Sequence, residues 1–411
     1  MGAKRNRTSQ QLIHVLSFDP DLKTSPVITS AVKVASNEDL LIEILLHVPV
    51  KTPMGFKSVS KQWFSLITSP RFARRRNPLP SASALFFITF SCRSNPEYQF
   101  IPLDTSDDCR TPFRTLDFVH DPLGSGISVL QSCNGLMLCA SYRARIFNRR
   151  YYVYNPTTKQ FSILPQIKRK NLKYVSGMNL AFDPVKSPYY KVVCVRRSET
   201  EGKPFQIEIY SSENCIILER FCSLVEGFRP SSYWNDEPYT LYFKVEEEIL
   251  EQLLMPMKHV NADELDGEEE MVEFREQVAT YLVESEGHWH LIEVYSDSTC
   301  LFNVYEMALD YSGWFLKYEV DLSAISDVFT EIITNDRYGY TFNILSLVRR
   351  GKEENGSFLV LEIPCGKIVR YNFADRSVVK LWEDPVVHKF YYDDGLKYVN
   401  ALPYMESTAC V

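Results

Sequence analysis

No stretch of the 411 residues approaches the ~18 consecutive apolar residues of a membrane helix. The opening MGAKRNRTSQQ carries positive charge without the apolar core of a secretory signal, and Asn6 stands where a myristoylation motif has Ser or Thr. The ten cysteines include no C-x-x-C pair, which fits reduced thiols better than a disulfide or zinc framework. Together these absences describe a cytoplasmic and/or nuclear chain with no membrane partner; KRNR alone is too short to choose the nucleus. Positive charge is also scarce overall: the net charge of -7 excludes whole-chain nucleic-acid binding and leaves only local basic sites.

Catalytic signatures are missing as well. There is no G-x-S-x-G, no G-x-x-x-x-G-K-[ST] and no H-E-x-x-H, so the chain offers no nucleophile elbow, phosphate cradle or zinc helix. It reads as a non-enzyme that needs no cofactor. His288 and His290 share a strand face at i, i+2, but without further ligands nearby they read as a packed pair rather than a metal site. Cys133 and Cys139 read as core thiols, and Asn134-Gly135 and Asn155-Pro156 as turn residues. Glu246, Glu247 and Glu248 are adjacent and point different ways, while the acidic run 263–270 lacks the alternation of a calcium loop.

What is present is apolar: 45% hydrophobic and 13% aromatic residues are ample for a large core. Residues 1–35 are polar and uneven and read as an unstructured tail. Ser36 followed by Asp39 signals a helix start, and Leu40, Leu41, Ile44, Leu45 and Val48 follow at helical spacing. Pro49 ends that helix. Thr52-Pro53 starts a second, with Phe56, Val59, Trp63 and Ile67 on one face, and Ser69-Pro70 a third through Arg76. Three short helices over 36–76 cannot bury this much apolar surface among themselves, so the surplus requires a partner.

From Ser81 the period changes from 3.6 to 2. ALFFITF, YKVVCVR, FQIEIYS, HLIEVYS, SFLVLEI and KIVRYNF belong to roughly twenty short runs rich in β-branched and aromatic residues, separated by turn residues. A weak repeat of strand, polar turn and strand, near the ~40–50 residues of a propeller blade, predicts a β-propeller over 77–411 with about six blades, seven being the alternative. The fold class is therefore mainly β with a small α N-terminal domain. DELDGEEEMVEFREQ, at 263–277, reads either as a helical turn or as a solvated loop.

At the motif level, DLLIEILLHVPVKT with FKSVSKQWFSLITSPRF resembles a plant F-box, and SCNGLMLCA with VYNPTTKQFSILP resembles the kelch-like propeller domain associated with it. The resemblance spans about 36–411. It implies a substrate-recruiting subunit of an SCF-type ubiquitin ligase, with the F-box docked on a Skp1-like adaptor and through it a cullin, and the β domain holding a target protein. Carried onto this chain, the adaptor-facing positions are Leu40, Leu41, Ile44, Leu45, Val48, Pro49, Val50, Val59 and Trp63. Two departures stand out: Ser36-Asn37 where the family has Leu-Pro, and a compressed stretch at 231–248 where one blade is expected to lack a strand or to carry a distorted one. A non-degradative scaffold and a carbohydrate-acting propeller are the alternatives.

Strand parity adds one expectation about the target. Arg143, Arg145, Arg149 and Arg150 lie in one loop, Lys168, Arg169 and Lys170 two strands later, and Arg196 and Arg197 two strands later again. Loops an even number of strands apart emerge on the same disc face, so these are expected to gather a positive field suited to an acidic or phosphorylated target segment.

Overall fold

The computed structural model describes residues 26–48, 55–76, 82–89, 95–104, 111–119, 126–142, 149–166, 172–198, 205–214, 216–222, 239–244, 247, 249–254, 277–295, 300–333, 341–350, 356–383 and 401–411. The first helix, α1 (Pro26–Ser36), corrects the expectation of an unstructured tail up to residue 35. Its β-branched residues have low helix propensity and mask the signal, but Pro26 fits the first helical position and Lys33 favours the negative end. Helix α2 (Glu38–Leu46) is capped by Asn37, whose side chain accepts from the Leu40 backbone N–H, and not by Ser36, which closes α1. The Ser36-Asn37 departure thus supplies a strong N-cap.

Helices α3 (Lys61–Thr68) and α4 (Pro70–Arg76) follow. Ser60 caps α3 by accepting from Trp63 N–H, so Phe56, which is helical, and Val59, in the turn after it, precede α3 rather than sharing a helix with Trp63. Ser69 Oγ accepts from Phe72 N–H and starts α4. Leu41, Ile42, Leu45, Trp63, Leu66, Ile67 and Phe72 form the interior of this unit. Phe56 meets Trp63 edge-on at 5.3 Å. Arg76 donates to the Leu45 and Val48 carbonyls, each at 2.6 Å, satisfying the end of α2.

The rest of the described chain is mainly β. A three-stranded sheet has the order β2 (Glu97–Pro102), β1 (Ala84–Thr89), β21 (Ala401–Tyr404). Four sheets are simple four-stranded meanders: β3 (Ile127–Cys133), β4 (Leu136–Ser141), β5 (Tyr151–Asn155), β6 (Gln160–Ile163); β7 (Leu172–Ala181), β8 (Lys191–Ser198), β9 (Phe205–Ser211), β10 (Ile216–Cys222); β13 (Gln277–Ser285), β14 (His288–Tyr295), β15 (Leu301–Met307), β16 (Trp314–Asp321); and β17 (Asn343–Val348), β18 (Phe358–Ile363), β19 (Lys367–Asn372), β20 (Val378–Glu383). Between β10 and β13, β11 (Tyr239–Lys244) and β12 (Ile249–Leu254) form a two-stranded sheet. Residues 223–238, which include the first eight residues of the compressed stretch, and the run 263–270 lie outside the described residues.

Five sheets stand around a common axis. β21 contacts β3 and β17, β3 contacts β7, and β13 contacts β17, so one edge strand of each sheet, β21, β3, β7, β13 or β17, lines the centre. Four neighbouring pairs share an apolar layer: Phe86 and Tyr404 with Met137 and Tyr152, Leu138 and Val153 with Leu180 and Val192, Ile292 and Val304 with Leu359 and Tyr371, Val348 and Phe358 with Leu85 and Phe87. Each fully buried side chain of this kind contributes about 1.5–3 kcal/mol. The ring closes where β21 pairs with β1, Ala84 opposite Tyr404. This is a propeller arrangement, with a short helix α5 (Ser323–Val328) in the β16–β17 connection.

Candidate functional site

The helical unit divides its apolar residues between two sides. Leu41, Leu45 and Trp63, expected at the adaptor interface, are interior, and Val48 is half-buried against the same core. The correction has a simple cause: six of the seven residues Leu40–Leu46 are apolar, so the helical period alone leaves the inward face undecided. Leu40 and Ile44, both 46% exposed, form an i, i+4 pair on the outer side of α2, and Val59 is 42% exposed. Phe64, also 46% exposed, was missed by sequence reasoning; its position next to the inward Trp63 was the available signal. Pro49 and Val50 lie outside the described residues.

Polar contacts also bridge the helices of this unit. Arg71 pairs with Asp39 at 2.7 Å and Arg75 with Glu43, tying α4 to α2 across solvent-exposed bridges. Exposed pairs contribute little, about 0–1 kcal/mol each, so the apolar interior carries the fold. The outer apolar residues are therefore not required by the core.

The basic residues fare differently from one another. Arg196 is not in a loop: it lies within β8, its side chain 6% exposed, paired with Glu208 of β9 at 2.9 Å. A buried guanidinium without a carboxylate would be costly, and Glu208 compensates it. Arg197 belongs to the same strand. Arg149 is half-buried and donates through Nε to the Ser141 carbonyl, whereas Arg150 is exposed. Arg143, Arg145, Lys168, Arg169 and Lys170 lie outside the described residues.

The two disc faces can be told apart. Gln131 on β3 exchanges hydrogen bonds with the Leu180 backbone of β7, and Asn134 donates to the Phe182 carbonyl at 2.7 Å, so β3 and β7 run the same way. Lys57 beside α3 donates to the Thr408 carbonyl, just beyond β21. The helical unit is therefore attached at the face where β3, β7 and β21 end. The strand ends flanking 142–150 and 199–204 belong to the opposite face.

His288 and His290 do share a face of β14, and both are directed at one carboxylate. Glu306 is buried and meets His288 Nδ1 at 2.6 Å, Arg349 at 2.9 Å, Lys317 at 3.2 Å and His290 Nε2 at 3.6 Å. Burial opposes the Glu306 charge, but the Lys317 hydrogen bond together with Arg349 outweighs it and holds the carboxyl below its usual range. Burial pulls His290 down to about 4, against the pull of Glu306. Burial likewise pushes the Cys133 and Cys194 thiols up to about 12 and the Cys139 thiol higher still, so they behave as apolar groups. Among the described residues no group of three or more His, Cys, Asp or Glu could hold a metal ion, and no helix is long and apolar enough to cross a membrane.

A small helical unit with exposed apolar residues on its outer side thus stands on one side of a propeller. Residues 79–218 match the F-box associated beta propeller domain. The chain is 33% identical over 383 residues to F-box protein At5g07610 of Arabidopsis thaliana, covering 86% of this chain and 87% of that one. F-box/kelch-repeat protein At4g19930 of the same plant is 33% identical over 195 residues, 44% of this chain and 43% of that one. The chain belongs to the plant F-box proteins with an associated propeller domain.

Proposed function

We propose that the protein is the non-catalytic substrate-recognition subunit of an SCF-type ubiquitin ligase. The observation that carries this reading is the outer apolar set of Leu40, Ile44 and Val59, exposed on a unit whose own interior is already filled. A Skp1-like adaptor, and through it a cullin, is the partner proposed for that face, with no cofactor involved. Burying such anchors at the centre of an interface contributes about 2 kcal/mol or more for the best of them.

The target is proposed to bind the opposite disc face, where Arg150 is exposed and an acidic or phosphorylated segment would find positive charge. The β11–β12 hairpin is read as a sixth, short blade between its four-stranded neighbours. The cytosol and nucleus are the compartments this role requires. The test is co-purification of the full chain with a Skp1-like adaptor and cullin. Ile44→Asp places an unpaired carboxylate in the interface while leaving the interior intact, so capture is expected to be lost from a folded protein. Wild-type capture by this variant would overturn the docking face.

A further inference from the structure

The residues of the two propeller motifs, C-N-G and Y-N-P-T, do more than turn the chain. They surround residues 405–411, the segment following β21. Asn155 donates through Nδ2 to the Ser407 carbonyl at 3.1 Å and the Ala409 carbonyl at 2.9 Å. Its Oδ1 meanwhile accepts from Thr157 N–H and Thr158 N–H, so one side chain shapes its own turn and grips the segment. Thr157 Oγ1 accepts from Ser407 N–H at 3.1 Å.

Gly135 makes room for the same segment. Its φ is +83°, and a Cβ added there would meet the Ser407 Cβ at 2.3 Å and the Met405 carbonyl at 2.9 Å. Both the backbone conformation and the close approach require glycine. Ala409 and Val411 then pack against the apolar layer between β3–β6 and β7–β10.

On its other side the segment reaches the helices. Lys57 donates to the Thr408 carbonyl and to Cys410 Sγ, and lies 6.0 Å over the Phe64 ring. Around it, Phe64, Ile67 and Arg76 from the helices face Phe182, Tyr189 and Tyr190 from the propeller across a cavity of about 250 Å³. The two parts meet across a gap, and residues 405–411 run through it.

We propose that residues 405–411 are a strap that fixes the orientation of the helical unit on the propeller, and that Gly135, Asn155 and Thr157 are positioning residues whose role is to hold it. This does not depend on what either part binds. Two flexibly joined parts would present a docked adaptor and a captured target at a spread of distances; the strap narrows that spread.

The test uses the full chain and small-angle X-ray scattering with hydrogen exchange. Asn155→Asp keeps the turn's acceptor oxygen but removes both donors and sets a carboxylate against two carbonyls. A second variant, Lys57→Ala, cuts only the link to the helices and leaves the propeller untouched. The expected result is a larger maximum dimension for both variants, with at least tenfold faster exchange at Ser407 and Ala409 in Asn155→Asp and unchanged exchange in the strands. Scattering superimposable on wild type in Lys57→Ala, or in a folded Asn155→Asp whose segment exchanges freely, would overturn the strap. Adaptor capture, measured separately, addresses the proposed function and not this inference.

Discussion

Lowering the pH from 7 to 5 should unload part of the stability held at the β14–β15 pair, through His290. Its side chain is 1% exposed, and burial pulls its pKa to about 4 from the ordinary 6.5, with Arg349, His288 and Lys317 adding to the pull and Glu306 opposing it. In the unfolded chain the imidazole takes a proton near pH 6.5, whereas the folded chain resists until about pH 4. Stability is therefore lost as pH falls through this window and levels off below it. A gap of that size costs about 2 kcal/mol more at pH 5 than at pH 7. Glu306, held below its usual range, titrates below this interval, whereas burial raises the Glu284 carboxyl on the paired strand, so the variant comparison is needed to single out the histidine. Urea unfolding of wild type and His290→Gln across pH 5–7.5 isolates the contribution. The stability difference between them should move by about 2 kcal/mol in the variant's favour on acidification. Parallel curves would refute the reasoning.

Three further outcomes are expected. Glu208→Ala removes the carboxylate from the buried Arg196 and should cost about 3–5 kcal/mol in urea unfolding, most of it restored by adding Arg196→Met; a loss below ~1 kcal/mol would show that the guanidinium is compensated by other groups. Backbone amides of the β11–β12 hairpin should exchange faster than those of Tyr151–Asn155, because a two-stranded sheet leaves more of its ladder to solvent; equal protection would contradict that. Gly135→Ala should destabilise the propeller by more than the ~1 kcal/mol of a strained turn, since the added carbon also strikes Ser407, and a chain with wild-type unfolding would remove the steric argument.

The strands were legible because short runs rich in β-branched and aromatic residues, such as SFLVLEI and KIVRYNF, are bounded by turn residues, and these two fall on β18 and β19. β21 was not: ALPY is four residues long, contains Pro403, and finds its partner at the far end of the chain. The exposed set on the helices was half legible. Leu40, Ile44 and Val59 came from the helical period and the resemblance, but so did the interior Leu41, Leu45 and Trp63, since pattern cannot say which stripe of an apolar helix faces in. Arg196 was read as a loop residue because two arginines and a polar run follow the apolar stretch; only the β8–β9 register brings Glu208 within reach. The grip of Asn155 on residues 407–409 was hidden for the same reason, because nothing local couples positions so far apart.

Ring closure also sets a timetable. Ser83 bonds Tyr404 across 321 residues, so the first sheet cannot be finished until synthesis has passed Tyr404. At about 5–20 residues per second, β1 waits roughly 15–60 seconds with one edge open, long after the helices have formed their own interior. Messages cut short before Ala401 would thus yield a product with an intact helical unit and an unclosed ring. On the reading proposed above, such a fragment would still occupy the adaptor while delivering nothing to the ligase, and its accumulation would act as a competitor of the complete protein.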